Sequence, residues 1–158
     1  MDEILREIEN YEKIVPFADE ATMVLKAHLL MEQSLWKFVA ERIEDAELLT
    51  ALRAENSGVR NGKALVQLAQ ALSTRDDVPI HNEHRVWPAL HTLNSLRNKL
   101  AHELEPDRKK VERYMREFSK ALLGDITGHL NRDFYYAAMI LLADLGINRV
   151  PGTWSDTQ

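Results

Sequence analysis

The chain has 158 residues, the usual size of one domain, and a chain of this length buries about two thirds of the surface that it exposes when unfolded. Apolar residues make up 45% and charged residues 28%, and these ordinary proportions exclude a largely disordered chain. There is no cysteine, which excludes disulfides, thiolate metal sites and cysteine nucleophiles. The charged N-terminus and the lack of an apolar run of about 20 residues predict neither an export signal nor a membrane span, and we expect a cytoplasmic protein.

Charge is unevenly distributed along the chain. The net charge of −5 disfavours indiscriminate attraction to polyanions. Residues 81–120, however, contain nine Lys and Arg against six Asp and Glu, whereas the rest of the chain contains eleven against nineteen. The same stretch holds four of the six histidines, His81, His84, His91 and His102. A solvated helix face is the simplest interpretation of this local basic segment, and a surface for a polyanion is the alternative.

Helical periodicity dominates the first half of the chain. Apolar residues at helical spacing predict a short helix over residues 2–15, which Pro16 ends. A long helix is predicted from Phe17 to about Arg42, because five residues recur at alternating spacings of four and three: Val24, His28, Met31, Leu35 and Phe38. Three segments follow: residues 44–53, which continue this helix or form a separate one, a loop at residues 55–62 and a helix at residues 63–72.

Three more helices are predicted in the second half. Residues 73–85 break the helical pattern, and the next helix is predicted to begin at Trp87-Pro88, since proline is favoured in the first turn, and to end near Glu105. The other two are predicted from Asp107 to Leu123 and from Phe134 to Leu145. We therefore predict an all-α helical bundle with two long central antiparallel helices plus shorter helices, forming one domain over residues 1–146 that is followed by a tail at residues 147–158.

The predicted helix that begins at Trp87 has two different faces. On a helical wheel four leucines share an arc of about 80°, with Leu90 on its flank, and this arc predicts a core-facing stripe: Leu93, Leu96, Leu100 and Leu104. A second stripe, which we call the polar stripe, lies opposite within about 60° and consists of His91, Ser95, Asn98 and His102. The polar stripe carries neither the Glu and Lys of a solvated face nor the Leu and Ala of a core. It favours a partly buried polar cleft or an interface.

Arg97 lies between the two stripes, about 100° from Asn98, so its side chain has to bend around the helix to reach the polar stripe. The simplest interpretation is that Arg97 pairs with an acidic neighbour such as Glu32 or Glu41, while His102 interacts with the helix C-terminus. The alternative is that Arg97, Asn98 and His102 form a site that acts on a phosphate. Arginine, asparagine and histidine together can bind a phosphate, orient it and transfer protons without a metal.

The stretch Leu93-Asn94-Ser95-Leu96-Arg97-Asn98-Lys99-Leu100-Ala101-His102 resembles the signature of the HEPN superfamily, in which an arginine, usually followed by a polar residue, precedes a histidine by four to six intervening residues. Here four residues separate Arg97 from His102. The surroundings are similar too, with a long amphipathic helix upstream, a tryptophan that opens the motif helix and another helix downstream. The resemblance covers roughly residues 17–125 and implies a dimer whose paired motifs face one another.

This resemblance implies a metal-independent endoribonuclease of toxin or defence type, which cleaves RNA through the RNA's own 2′-hydroxyl and needs no cofactor. Its expected catalytic residues are His102 as general acid or base, Arg97 as donor to the phosphate oxygens and Asn98 as an orienting group. Because both an acid and a base are needed, a homodimer that supplies His102 twice is expected. RNA is the expected substrate, and a separate antitoxin or regulatory protein is an expected kind of partner.

Three alternatives remain open. Many relatives in the superfamily are inactive, so a non-catalytic regulatory or adaptor module that binds a protein or a nucleic acid is the second functional hypothesis. A metal site built from the four histidines of residues 81–120 is disfavoured, because Glu83 is the only acidic ligand near His81 and His84, and no metal is predicted. His28 is predicted to be a hydrogen-bonded core histidine, with a cleft-facing role as the alternative. The residues expected to contact RNA are Lys99, His91, Arg108 and Lys109.

Overall fold

The computed structural model describes Arg6 and residues 19–59, 62–76, 80, 82–103 and 105–146. Six α-helices follow one another along these residues: α1 Glu20–Ala40, α2 Ala46–Arg53, α3 Gly62–Ser73, α4 Glu83–His102, α5 Arg108–Leu123 and α6 Leu130–Asp144. A 3-10 turn, Glu55–Ser57, follows α2, and none of the described residues lies in a strand. The prediction of an all-α fold is therefore confirmed. None of the described helices is long and apolar enough to cross a membrane.

The two longest helices, α1 and α4, pack against each other in opposite directions. His28 in α1 lies at hydrogen-bonding distance from Asn94 in α4, while Ala21 at the start of α1 and Leu100 near the end of α4 line the same cavity. Residue numbers therefore rise along α1 as they fall along α4, so the two helices are antiparallel, as predicted. The α3 helix packs on both of them, α5 packs on α4, and α6 packs on α5 and α1.

The leucine stripe of α4 forms part of one apolar core. Leu90, Leu93 and Leu96 are at most 1% exposed, and they pack with buried side chains from α1, α3, α5 and α6. Leu100 is partly buried, and Leu104 lies outside the described residues. Full burial of one leucine contributes about 1.5–3 kcal/mol, so the three buried leucines fix which side of α4 faces inward.

Aspartates begin three of the helices. Asp19, Asp45 and Asp107 precede α1, α2 and α5, and each side chain accepts hydrogen bonds of 2.7–3.0 Å from backbone amides in the first turn. Such a cap satisfies amides that have no partner within the helix, and the negative charge interacts favourably with the helix dipole. The cap at Asp45 decides between the two sequence alternatives, because α2 is a separate helix rather than the end of α1.

The predicted start of the motif helix is wrong by four residues. The α4 helix begins at Glu83, and Pro88 lies inside it rather than in its first turn. Val86 and Trp87 are buried in the core, and a helical conformation ahead of Pro88 is what places both side chains there. Proline removes one backbone hydrogen bond near the start of the helix, and the burial of these two side chains outweighs that loss.

Other boundaries also differ from the prediction. The α4 helix ends at His102 and not near Glu105, because the residue after His102 has extended backbone angles of −104° and 125°. The α6 helix begins at Leu130, four residues before the predicted Phe134. Two predicted segments lie outside the described residues except for Arg6: the helix at residues 2–15 and the tail at residues 147–158.

The early start of α6 follows from a buried carboxylate. Asp133 accepts hydrogen bonds from the backbone N–H groups of Thr127 at 3.1 Å and Gly128 at 3.2 Å, and from the Thr127 hydroxyl at 2.7 Å. Gly128 has a φ of 90°, a conformation that glycine adopts at little cost. Burial raises the pKa of Asp133, but these hydrogen bonds outweigh it and the pKa lies below its ordinary value.

We predict that Asp133→Ala destabilises the fold by about 1–3 kcal/mol, because the substitution leaves the amides of the α5–α6 turn without their acceptor. Urea unfolding followed by circular dichroism measures this change. Asp125→Ala is the matched control, since Asp125 is an exposed carboxylate in the same turn, and its effect should stay within about 0.5 kcal/mol. Equal stability of the two variants would contradict the assigned role of Asp133.

Candidate functional site

The predicted catalytic residues lie in the last two turns of α4. Asn98 and His102 are exposed and one turn apart, so their side chains project from the same face of the helix. Ser95 is exposed and His91 is half-buried, which leaves the polar stripe open along α4. Of the two predicted alternatives, a partly buried cleft is not formed around the polar stripe by the described residues, because the helices that contact α4 cover its leucine side. That the polar stripe is an interface stays a prediction.

The side chain of Arg97 bends toward the polar stripe, as its position on the wheel requires. Its Nη1 donates a hydrogen bond to Oδ1 of Asn98 at 3.3 Å, and Arg97 is half-buried. None of the salt bridges among the described residues involves Arg97, so the predicted alternative of a pairing with Glu32 or Glu41 is not found; Glu41 pairs instead with Arg42 at 3.8 Å. The guanidinium group of Arg97 thus has a neutral amide, rather than a carboxylate, as its hydrogen-bond partner.

The residues predicted to contact RNA are spread over two helices and differ in their surroundings. Lys109 is exposed at the start of α5, and His91 is half-buried in α4. The other two form ion pairs: Lys99 with Glu103 at 3.3 Å, and Arg108 with Glu20 at 3.5 Å and with Glu112 at 3.3 Å. Ion pairs at exposed positions contribute less than about 1 kcal/mol, so a phosphate could replace these carboxylates.

Two surface cavities lie away from the polar stripe. One, of about 640 Å³, surrounds the start of α6 and is lined by His129, Arg132 and Tyr136 among others. The second, of about 430 Å³, lies between the start of α1 and the α4–α5 connection. Neither cavity is lined by Arg97, Asn98 or His102. The candidate catalytic residues therefore lie on an open surface.

The alternative metal site is not assembled by the described residues. No three of their His, Asp or Glu side chains come together as possible ligands. Along α4, His84 and His91 are separated by about 10 Å and His91 and His102 by about 16 Å, since a helix rises about 1.5 Å per residue. These three histidines cannot share one ion within a chain, and His81 lies outside the described residues.

A buried polar pair lies behind the candidate site. Nε2 of His28 is 3.3 Å from Oδ1 of Asn94, and both side chains are buried. His28 is thus a hydrogen-bonded core histidine, which is the first of the two sequence alternatives. Asn94 belongs to the motif stretch but was given no role, although it lies one turn before Asn98 and about 40° from it on the wheel. This position next to Asn98 on the wheel is the sequence feature that could have indicated a role for Asn94.

The surroundings of His28 disfavour its charged form. Burial lowers the pKa of His28 from 6.5 to about 4; the hydrogen bond with Asn94 opposes this change, and the positive charge of Arg97 adds to it. Nδ1 of His28 lies 3.8 Å from a carboxylate oxygen of Glu32, the next turn along α1. His28 is therefore neutral at pH 7.

Comparison of the chain with models of known protein families, with curated proteins and with solved structures gives no match. The likeness to the HEPN signature lies in residues 93–102 and in their helical surroundings.

We predict that acid destabilises the fold through His28. Between pH 6.5 and about 4 the unfolded chain binds a proton at this residue that the folded chain does not bind. The free energy of unfolding is therefore unaffected by His28 above this window and falls as the pH decreases through it, by up to about 3 kcal/mol. Urea unfolding at several pH values across the window measures the decrease.

His28→Gln is the control for this pH dependence, because glutamine keeps an N–H donor near the position of Nε2 but does not titrate. The variant should lose less stability than the wild type over the same window. Carboxylates such as Asp133 contribute equally to both proteins and cancel in the comparison. Identical losses in the two proteins would show that His28 is not the group responsible.

Proposed function

We propose that this chain is a metal-independent endoribonuclease of HEPN type, which acts in the cytoplasm and cleaves RNA at a site that a homodimer completes. The observation that carries this proposal is the direction and the charge pairing of the Arg97 guanidinium. Its guanidinium is held toward the polar stripe by Asn98 and forms no salt bridge among the described residues. The three arginines of α5 each contact a carboxylate: Arg108 and Arg116 contact Glu112, and Arg113 contacts Glu117.

An arginine in this state suits a phosphate ligand. Guanidinium presents five N–H donors, of which one is used by Asn98, and its planar geometry matches two oxygens of a phosphate. Asn98 and His102 project from the same face, with about 5–6 Å between their Cβ atoms. Arg97, drawn toward Asn98, is thereby brought to the side of α4 from which His102 projects.

The proposed reaction is an in-line displacement within the RNA. A base removes the proton from the 2′-hydroxyl, whose oxygen forms a bond to the adjacent phosphorus while the bond from phosphorus to the 5′-oxygen breaks. An acid gives a proton to the leaving 5′-oxygen, which leaves a 2′,3′-cyclic phosphate and a 5′-hydroxyl. Arg97 stabilises the charge that develops on the non-bridging oxygens. DNA lacks the 2′-hydroxyl and is not cleaved.

The need for both an acid and a base supports a dimer. Histidine can serve in either role near neutral pH, but each chain provides one histidine in the motif, His102. Two copies related by a two-fold axis would present both residues to one phosphate. The open polar stripe is a surface that a second copy could cover. Exposed Leu25 and Leu29, one turn apart on α1, add apolar surface that also suits association.

We predict that the protein cleaves single-stranded RNA in the presence of EDTA and leaves 2′,3′-cyclic phosphate and 5′-hydroxyl ends. His102→Ala should lower the rate by a factor of about 10²–10⁴, because it removes the proton-transfer group. Arg97→Ala should lower it by about 10²–10³, because it removes the phosphate donor. Incubation with cellular RNA, followed by end-group analysis of the fragments, measures both effects.

The same helix offers matched controls. His84 and Arg85 are exposed in the first turn of α4, so His84→Ala and Arg85→Ala remove the same side-chain types away from the site. Both controls should keep the wild-type rate. Full activity of His102→Ala and Arg97→Ala would exclude the proposed site, and activity that EDTA abolishes would exclude a metal-independent reaction.

We also predict a dimer with the polar stripe in its interface. Sedimentation at micromolar concentration should give about twice the chain mass of 18.2 kDa. Ser95→Arg introduces a bulky charge in the centre of the polar stripe and should yield a monomer, whereas Gln67→Arg, at an exposed position of α3, should stay dimeric. A dimer that tolerates Ser95→Arg would place the interface elsewhere.

A non-catalytic regulatory or adaptor module is the second candidate function. It is favoured by the ion pairs of Lys99 and Arg108, which reduce the positive potential available to RNA, and by the net charge of −5. Such a module would bind a protein partner, such as an antitoxin or a regulator, through the same open stripe. Absence of cleavage on any RNA, together with tight binding of a partner that Ser95→Arg abolishes, would select this function.

A further inference from the structure

The His28–Asn94 pair is unusual among the buried polar groups of this fold. Of the other buried polar side chains that the structure describes, the serines at positions 34, 73 and 119 bond to backbone carbonyls of their own helices, and Asp133 bonds to the turn before α6. His28 and Asn94 instead connect two helices. Burying both polar groups costs free energy, which their hydrogen bond offsets in part.

The helix α3 accommodates this pair by means of a glycine. Gly62 is the first residue of α3, and a Cβ atom built on it would lie 2.7 Å from Cγ of Asn94 and closer still to its Oδ1. The amide of Asn94 therefore occupies the space that a side chain at position 62 would need. Because φ at Gly62 is not in the left-handed region, glycine is required here for space rather than for conformation. Three helices thus meet at the Asn94 amide.

Asn94 of this pair lies about one turn before the candidate catalytic arginine on α4. Asn94 is three residues before Arg97 and four before Asn98, so on the α4 surface it lies between the directions of these two side chains. The charge of Arg97 is close enough to His28 to contribute to its lowered pKa. The Glu32 carboxylate lies 3.8 Å from Nδ1 of His28, and none of the salt bridges among the described residues joins a carboxylate to Arg97.

We propose that His28 and Asn94 are positioning residues for Arg97: within the orientation of α4 that its buried leucines set, the hydrogen-bonded pair fills the space between α1 and α4 one turn before the arginine and directs the guanidinium outward to Asn98. This inference rests on the proposed function in that the positioned group is the phosphate donor of the proposed ribonuclease. His28 and Asn94 are buried and do not touch the RNA; they act through Arg97.

The test compares variants that remove the pair with one that preserves it. His28→Leu and Asn94→Leu abolish the hydrogen bond, and Gly62→Ala must displace the Asn94 amide. His28→Gln keeps a donor for Asn94. Ser34→Ala is the matched control, since Ser34 is a buried polar residue of α1 that bonds to the Leu30 carbonyl of its own helix. Thermal unfolding shows that each variant used is folded.

Two readouts decide the proposal. In carbon-detected NMR of arginine side chains, rotation about the Nε–Cζ bond of Arg97 should be slow in the wild type, His28→Gln and Ser34→Ala, and should become at least several-fold faster in His28→Leu and Asn94→Leu. On single-stranded RNA, kcat should fall by about 10- to 100-fold in the latter two, with KM changed far less, because a displacement of about 1 Å at a catalytic group has this effect. Gly62→Ala should behave as Asn94→Leu does.

Arg97 rotation that is the same in all variants would overturn the proposal, whatever the activity. Unchanged kcat in His28→Leu and Asn94→Leu of an active enzyme would overturn it as well. Failure of the wild type to cleave RNA would remove the proposed function alone, and the rotation of Arg97 would still decide whether the pair positions this side chain. Rescue by His28→Gln separates positioning from a general packing defect, since leucine packs well but cannot donate.

Discussion

The packing of α4 against four other helices is the constraint on which the candidate site depends. This helix contacts α1, α3, α5 and α6. Its buried leucines at positions 90, 93 and 96 fix its orientation about its own axis. Each leucine contributes about 1.5–3 kcal/mol on burial, so turning α4 to bury the polar stripe would cost several times the free energy of one hydrogen bond. The exposure of Asn98 and His102 follows from the leucines rather than from any contact of their own.

Arg97 differs from the arginines of α5 in its charge pairing. On α5, carboxylates one turn away neutralise Arg108, Arg113 and Arg116, as is common on solvated helices. Arg97 instead donates to the neutral amide of Asn98 and forms no salt bridge among the described residues, and the positive charge of Arg97 contributes to keeping the buried His28 neutral. A cation in such surroundings retains its capacity for an anionic ligand, and this is the property that a phosphate site needs.

Two carboxylates, those of Asp133 and Asp76, each accept several hydrogen bonds. Asp133 accepts from the amides of the turn before α6. Asp76, which follows α3, accepts from Arg42, which follows α1, through both carboxylate oxygens at 2.6–3.0 Å, and Arg42 also donates to the Phe38 carbonyl at 2.9 Å. Arg42 and Asp76 are 34 residues apart in the sequence. Spacing along the chain contains no sign of such a pair, and we did not predict it from the sequence.

The sequence by itself determined the helical class and the leucine side of α4, because these depend on a period of 3.6 residues, and the wheel also predicted that Arg97 bends toward the polar stripe. It also indicated that His28 belongs to the core. Only the tertiary structure decided the start of α4, where burial of Val86 and Trp87 overrides the signal of Pro88, and the start of α6, which Asp133 sets through a turn. The role of Asn94 likewise depends on α1 and α3, since His28 and Gly62 become its neighbours only when the three helices pack together.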